Sequence, residues 1–347
     1  MVYVSARGNL YLHDRVAVVS NRVVEVENGE PLQVLDHMGR FLRVKTAQGQ
    51  EGWIENTAVI DSSIYDEFAK LAADNKDDPV VATGILDDLL YMHILPGRKT
   101  QHFYLLPANT KVQLLARASV PRTPPPGSMP AMPQTESASR TASTEAVPGL
   151  PQPQPTIMED WWLARDSRGR TGWMLGSRIY VNVPDDIAQY AEGQQFVGAY
   201  VLTKVFDPES KFPDQEAPEY LTLLAPLQSA RSYDFNEVRV FTWSVRRHRY
   251  ETAFRLRPIQ GFLPARIGSA KGPDGKTIPT FSIEIANSDN LITDPATGIT
   301  RPASLRTIHY EMLDTIVRRI GPDMAPIPLL GKDKETTHEA ARRHRGR

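Results

Sequence analysis

One segment of the sequence is present twice, and this duplication limits the fold more than any other feature of the chain. Residues 41–54 read FLRVKTAQGQEGWI, and residues 162–174 read WLARDSRGRTGWM. Each copy begins with an aromatic residue, which aligns Phe41 with Trp162, and each then alternates, turns at a glycine and ends in Gly-Trp. Short alternating strands joined by Gly, Asn and Asp turns are typical of small antiparallel barrels and sandwiches. The sequence therefore predicts two small β-units of the same kind.

The similarity between the two units extends upstream of the Gly-Trp segment. The corresponding segments are Leu10, Glu30–Leu35, Phe41–Val44 and Gly49–Ile54 in the first unit, and Leu90–Gly97, Thr110–Leu115 and Trp161–Met174 in the second. On these segments both units resemble bacterial SH3 domains, the SH3b or SH3 type 3 family, although Phe41 stands where that family usually has tryptophan. The resemblance covers about a third of the chain, and it implies one SH3-like small β-barrel in residues 1–61 and another in residues 81–183.

The second unit carries a long insertion. Five residues lie between Leu35 and Phe41, whereas 46 lie between Leu115 and Trp162, so the second unit holds 41 additional residues. Ten prolines occur in residues 121–155, with Ser, Thr and Gln filling much of the rest. Such a composition cannot bury enough apolar surface to offset the entropy of ordering the chain. We therefore predict that residues 118–158 form a disordered, proline-rich excursion, which a closed barrel tolerates because loop-closure entropy grows only slowly with length.

Short connector helices are expected after each unit. Ile64, Phe68 and Leu71 have helical spacing within residues 62–80, and an acidic stretch follows Pro184 within residues 184–196. Together with the two β-units, these helices and the strand-rich remainder of the chain predict a mostly β protein.

The remainder of the chain predicts a third, antiparallel β domain in residues 197–330, for which we recognise no family. A hairpin in residues 238–256 is expected to pair Trp243 with Thr252, and a terminal hairpin in residues 305–320 is expected to turn at Asp314 and Thr315. Residues 331–347 are rich in Lys and Arg and predict a frayed basic tail.

Composition excludes several classes of chemistry. The chain has no cysteine, so it has no thiol nucleophile, no disulfide and no thiolate metal site. Its eight histidines form no metal-binding motif, and no nucleotide-binding loop or hydrolase elbow is present, so we predict no catalytic residue, no metal and no cofactor. A net charge of −1 produces no electrostatic field that would attract nucleic acid. The sequence contains no run of 18 apolar residues, so we predict no transmembrane segment.

Aromatic residues in the second unit are the candidates for a ligand-binding surface. Neighbouring residues on a strand point to opposite sides, so one residue of the pair Trp161 and Trp162 enters the core and the other faces away. With Trp162 aligned to Phe41, we predict that Trp161 and Tyr91 contact a ligand, and that Trp53 and Trp173 fill the two cores. A partly covered Trp161 is the alternative.

A second candidate site is the basic cluster at the predicted hairpin turn of the third domain. Arg246, Arg247 and Arg249 lie beside Trp243 and Tyr250, and arginine combined with aromatic rings can hold a polyanion. The alternative is a solvated turn with its aromatic rings directed inward, and the balanced charge of the whole chain favours that alternative.

The resemblance to SH3b domains implies a non-enzymatic, multidomain binding protein of the bacterial cell envelope. Its implied partners are cell-wall peptide or glycan, or envelope proteins, and its implied location is periplasmic or envelope-associated, with a cytoplasmic location as the alternative. A glycan or peptide hydrolase, with two carboxylates in the third domain and the SH3b units as targeting modules, is the enzymatic alternative. A scaffold that holds proteins together with all three domains is a third possibility.

Overall fold

The computed structural model describes residues 1–5, 10–122, 157–227, 231–272, 275–288 and 290–329, and it is dominated by antiparallel strands. The predicted insertion and basic tail fall mostly or wholly outside these residues. The strands of residues 1–183 are β1 (Val2–Val4), β2 (Leu10–His13), β3 (Arg22–Val26), β4 (Pro31–Met38), β5 (Phe41–Lys45), β6 (Glu51–Glu55), β7 (Val59–Asp61), β8 (Ala82–Leu86), β9 (Leu90–His93), β10 (His102–Leu106), β11 (Lys111–Pro121), β12 (Met158–Arg165), β13 (Thr171–Leu175) and β14 (Ile179–Val181).

The predicted duplication is confirmed by strand order. The first seven strands form a sheet in the order β3-β2-β6-β5-β4-β1-β7, and the next seven form a sheet in the corresponding order, β10-β9-β13-β12-β11-β8-β14. Even the irregularities match, because the pairing of β4 with β5 shifts after Val34 and that of β11 with β12 shifts after Leu114. We call residues 1–61 the first repeat and residues 81–183 the second repeat.

The register of the strands corrects the alignment of the two repeats by one residue. Gly52 pairs with Val44, and Gly172 pairs with Ala164, so counting back along β5 and β12 matches Phe41 with Trp161 and Leu42 with Trp162. The sequence comparison matches Phe41 with Trp162 because both are aromatic. That match makes the segment from the aromatic residue to the Gly-Trp pair one residue shorter in the second repeat than in the first.

The prediction that the Gly-Trp tryptophans fill the cores is wrong for Trp53, which is half-buried, whereas Trp173 is buried, in a cluster separate from the one that contains Met174. A Cβ atom on Gly52 would lie 2.7 Å from Leu12 Cβ, and one on Gly172 would lie 2.6 Å from Met92 Cβ, so each glycine faces inward where two strands approach closely. Because side chains alternate along a strand, the next residue, Trp53 or Trp173, faces outward, and the following apolar residue returns to the core. In the first repeat that residue is Ile54, which packs with Val4, Leu12, Leu32 and Val44.

Both predicted connector helices are present. Helix α1 spans Ser62–Asp74, and helix α2 spans Asp185–Ala188 and continues as a 3-10 turn over Gln189–Ala191. The other 3-10 turns are Asn56–Ala58, Gly176–Arg178 and Pro213–Gln215. None of the described helices has the length and apolar character needed to span a membrane.

The C-terminal part of the chain is β-rich, as predicted, and contains two four-stranded sheets and one small hairpin. The sheets have the orders β15-β16-β17-β18 and β19-β20-β23-β24. Their strands are β15 (Gln194–Phe206), β16 (Glu216–Pro226), β17 (Glu237–Ser244), β18 (Arg249–Leu256), β19 (Gly261–Lys271), β20 (Thr277–Ala286), β21 (Leu291–Thr293), β22 (Thr300–Pro302), β23 (Leu305–Leu313) and β24 (Ile316–Ile320). The terminal hairpin is confirmed, with Asp314 and Thr315 between β23 and β24.

Two local predictions need correction. The hairpin of β17 and β18 pairs Trp243 with Tyr250, not with Thr252, because Ser244 pairs with Arg249 and the turn therefore begins at Val245, one residue earlier than expected. The insertion was predicted to begin at residue 118, yet β11 continues to Pro121, which pairs with Met158 on β12. The remainder of the insertion, residues 123–156, lies outside the described residues.

The second repeat and the C-terminal part share one core and a buried ionic cluster. Arg117 on β11 donates from Nε to Asp234 (3.1 Å) and from Nη1 to Asp160 on β12 (3.2 Å). Asp160 also pairs with Arg231 (3.2 Å), and Asp234 pairs with Arg301 on β22 (3.2 Å). We call these five residues the joint cluster, because they connect the second repeat to the C-terminal part.

Candidate functional site

The first repeat contains an open groove on its outer surface. It has a volume of about 610 Å³ and lies between the loop after β2 and the strands β5 and β6. Trp53 forms the floor next to Phe41, and both side chains are half-buried. The complete lining is Leu10, Tyr11, His13, Arg15, Val16, Ala17, Val18, Ser20, Arg40, Phe41, Trp53, Ile54, Glu55 and Ala58.

Hydrogen bonds fix the loop that forms one wall of this groove. His13 Nδ1 lies 2.9 Å from Ser20 Oγ, and the backbone N–H and side-chain amide of Asn21 each donate to Asp14 over 2.9 Å. These bonds from Asn21 lower the pKa of Asp14. Both ends of the loop are thereby anchored, while Val18 at its tip is fully exposed. The wall is therefore preformed, although its tip is apolar and faces solvent.

Charges at the rim of the groove are paired with each other. The guanidinium of Arg40 lies 5.3 Å from the centre of the Phe41 ring and 3.7 Å from Glu55. On the far side, the Tyr11 hydroxyl donates to Glu25 over 3.2 Å, and Arg22 stacks on the Tyr11 ring at 4.4 Å. The rim thus combines aromatic faces with compensated charges, an arrangement suited to a ligand of low net charge.

The corresponding surface of the second repeat is closed. Trp161 and Trp173, the counterparts of Phe41 and Trp53, are each only 2% exposed and pack with Leu115, Ala118 and Leu163. Leu71 of helix α1 and Ile299 of the C-terminal part pack against this cluster. The same repeat therefore has its aromatic surface covered in one copy and uncovered in the other.

An ion pair closes the second repeat on the loop side. His93 lies 3.0 Å from Thr100, as His13 lies 2.9 Å from Ser20, so the loops are equivalent and Arg98 corresponds to Val18. Arg98 forms bidentate hydrogen bonds with Glu159 on β12, with a shortest distance of 2.7 Å. Burial and the nearby His102 lower the pKa of His93 to about 4. Val18 cannot form such a bridge, which leaves the first groove open.

The two residues predicted to bind a ligand belong to this closed repeat. Trp161 is buried, so the prediction that its ring faces a ligand is wrong, and the reason is the cover supplied by α1 and the C-terminal part. Its partner Tyr91 is half-buried, with its ring 4.3 Å from the His102 ring. A ligand-binding role for Tyr91 stays a prediction.

A pattern already present in the sequence points to the open groove. Leu-Tyr-x-His occurs at residues 10–13 and again at residues 90–93, and a hydroxyl residue follows each histidine after seven positions. Matching these histidines fixes the loop equivalence that places Tyr11 opposite Tyr91. The sequence alone, however, does not indicate which copy is covered.

The basic cluster of the third domain lies at an exposed hairpin tip. Arg246, Arg247 and Arg249 are exposed, while Trp243 and Tyr250 are buried with their rings 5.0 Å apart. The arginines therefore have no aromatic ring of this hairpin available beside them, which removes one of the two features that suggested a polyanion site. Their role in polyanion binding stays a prediction.

The buried acids of the C-terminal part bear on the hydrolase alternative. Asp207 accepts hydrogen bonds from Trp243 Nε1 (2.7 Å) and pairs with His248 (2.8 Å). Glu219 is buried beneath the same hairpin, accepts the backbone N–H of Trp243 (3.0 Å), and has its pKa raised to about 6 by burial. A pKa near 6 suits a general acid, but the carboxyl group is enclosed by protein, so a substrate cannot reach it as the chain is folded here. Across the described residues, no group of three His, Asp or Glu side chains could hold a metal ion.

Comparisons with known proteins are sparse. Neither a model of a protein family nor a curated protein sequence matches this chain. Among solved structures, the chain is similar to that of NlpC2 from Trichomonas vaginalis, with 11% sequence identity and a TM-score of 0.17. The match covers 61% of this chain and 60% of that one, so the chain spans less than two thirds of that protein's length. A TM-score of this size supports no statement about fold or function.

Proposed function

We propose that this chain is a non-enzymatic, multidomain binding protein of the bacterial cell envelope and that its first repeat carries the ligand-binding groove. The observation that supports this most directly is the difference between the two repeats. The outer surface of the second repeat is occupied by Leu71 and Ile299 of the same chain, whereas that of the first repeat leaves Phe41 and Trp53 accessible.

The chemistry of the groove favours an elongated ligand with little net charge. Partly exposed aromatic rings contribute large contact areas at a small cost in conformational entropy, and they often carry much of the binding energy at interfaces. The rim supplies paired charges on Arg40 and Glu55, which can hydrogen-bond a ligand without attracting a polyanion. Cell-wall peptide or glycan, or a segment of an envelope protein, meets this description.

The envelope location and the SH3-like identity of both repeats are part of the same proposal. They derive from the resemblance to SH3b domains on the Gly-Trp segments, and the matching strand orders of the two repeats agree with a duplicated module of that kind.

Sedimentation with purified cell-wall sacculi tests this proposal. We expect the full chain to co-sediment and Trp53→Ala to reduce the bound fraction about tenfold. Tyr180→Ala is the matched control, because Tyr180 is an exposed aromatic residue of the second repeat and its removal should leave binding unchanged. Tyr91→Ala separates the repeats, since a loss of binding with this variant alone would locate the ligand on the second one. Absence of sedimentation would refute wall binding, and release of soluble fragments would favour the hydrolase.

A further inference from the structure

Helix α1 provides an example, within this chain, of what the outer surface of a repeat can bind. The helix packs against β13 of the second repeat, and the partly buried Leu71 packs against the cluster that contains Trp161 and Trp173. Phe68, one turn earlier on the same helical face, is fully buried with its ring 5.5 Å from that of Tyr104. An aromatic and an aliphatic residue three positions apart thus attach the helix to the repeat.

A cation of the second repeat holds the C-terminal end of this helix. Arg165, the last residue of β12, donates from Nη2 to the carbonyl oxygen of Asn75 over 2.6 Å. The carbonyl groups at a helix C-terminus have no partners within the helix and carry a partial negative charge, which a cation stabilises. The complementarity between helix and repeat is therefore both apolar and electrostatic.

The first repeat has the same elements in the same register, but no helix in the described part of the chain covers them. Trp53 corresponds to Trp173, and Lys45, at the end of β5, corresponds to Arg165. The Lys45 ammonium lies 3.6 Å from Glu51, and 41% of the Lys45 side chain is exposed. Leu35, the counterpart of the buried Leu115, is exposed. Exposed apolar side chains interspersed with charged ones, and a cation at the corresponding end, are thus available next to the groove.

We propose that this surface of the first repeat binds the C-terminal half of an amphipathic helix from a partner protein, in the manner in which the second repeat binds α1. The inference rests on the proposed function, in that it names a protein helix as the ligand of the open repeat. The partner helix places a leucine against Trp53 and Leu35 and directs its last carbonyl groups towards Lys45. A helix running in the opposite direction would bring its positive end to this cation and is disfavoured.

A synthetic peptide with the sequence of residues 62–76 is the probe, made helical by a lactam bridge between Asp66 and Lys70, which are both exposed and one turn apart. The readout is tryptophan emission and its quenching by acrylamide in the full chain. Four of the five tryptophans are buried, so quenching reports mainly on Trp53. We expect the peptide to protect Trp53 in a saturable way, and we expect a peptide carrying Leu71→Ala to bind about tenfold more weakly.

Four variants of the full chain decide the result, each checked for folding by circular dichroism. Lys45→Glu should weaken peptide binding several-fold, while Lys111→Glu, at an exposed lysine of the second repeat, should leave it unchanged. Failure of the emission change to saturate at millimolar peptide would overturn the inference. An emission change of the same size in Trp53→Phe would overturn it too, because the signal would then come from the peptide displacing α1 on the second repeat. Concentration-dependent dimers that Trp53→Ala abolishes would overturn it in favour of a second copy. If the chain binds sacculi in a way that depends on Trp53 but does not bind the peptide, the proposed function is still supported and only the proposal of a helical ligand is refuted.

Discussion

Arg117 is the residue whose removal tests most directly how the second repeat and the C-terminal part are joined. Its guanidinium makes hydrogen bonds to Asp234, Asp160 and Ser119, and to the carbonyl oxygens of Arg231 and Tyr233 over 3.2 and 2.7 Å. The side chain is almost completely buried, so water cannot replace these bonds. We therefore expect Arg117→Met, which keeps most of the side-chain volume, to destabilise the protein strongly.

The magnitude follows from what the substitution leaves behind. Removing one partner of a buried ion pair typically costs about 3–5 kcal/mol, because the other charge stays buried. Here Asp160 keeps its pairing with Arg231, and Asp234 keeps Arg301 and the backbone N–H of Leu263. Neither carboxylate loses all its partners, so the lower end applies, and we expect a loss of about 3 kcal/mol in the free energy of unfolding.

Urea unfolding monitored by tryptophan emission measures this loss. Arg178→Met is the control, because the pair of Arg178 with Asp87 is half exposed at 3.5 Å and should contribute no more than about 0.5 kcal/mol. The double variant Arg117→Met with Asp234→Asn should recover part of the loss, since it removes the charge that is left without its main partner. A cost for Arg117→Met no larger than that of the control would show that the shared apolar core alone holds the joint, and the reasoning from burial would fail.

Two further predictions concern close packing and a buried acid. Gly172→Ala should cost about 1–3 kcal/mol in urea unfolding, because its Cβ would lie 2.6 Å from Met92 Cβ, and an unchanged stability would contradict the account of the Gly-Trp motif. Glu219 has its pKa raised from 4.5 to about 6, so the folded state holds its proton more tightly than the unfolded state does. The native protein should therefore lose stability relative to Glu219→Gln as the pH rises, by about 2 kcal/mol in total between roughly pH 3.5 and pH 7 and by about 1.3 kcal/mol of that between pH 4.5 and pH 6, and a constant difference between the two would refute the shift.

The strand plan of the repeats and the terminal hairpin could be predicted because local patterns determine them. The alternation of apolar and polar residues predicts the strands, and two glycines predict the turns between them. Gly49 and Gly169 adopt the left-handed conformation, with φ of 88° and 80°. The registers of the paired strands were harder to predict from the sequence. The one-residue error at Trp162 arose because two adjacent tryptophans are equally good matches to one aromatic position, and only the pairing of β12 with β13 separates them.

Burial of the tryptophans could not be predicted from the repeats themselves. Trp53 and Trp173 follow the same glycine on equivalent strands, yet one is half-buried and the other fully buried. The difference comes from Leu71 and Ile299, which lie about 100 residues or more from Trp173 in the sequence. A contact of that separation leaves no local pattern, so the sequence could not indicate that the aromatic surface of the second repeat is covered.

The outer surface of the first repeat differs from that of the second in a way that bears on its role. At three positions where the second repeat has Ala116, Leu163 and Leu175, the first has Asp36, Arg43 and Glu55, as an uncovered surface requires. If this surface contacted only solvent, the other counterparts of the covered cluster of the second repeat should also be polar. They are Leu35, Met38, Phe41 and Trp53, all exposed or half-buried. Exposing these side chains forgoes the free energy that burial would supply, and a partner that covers them recovers it.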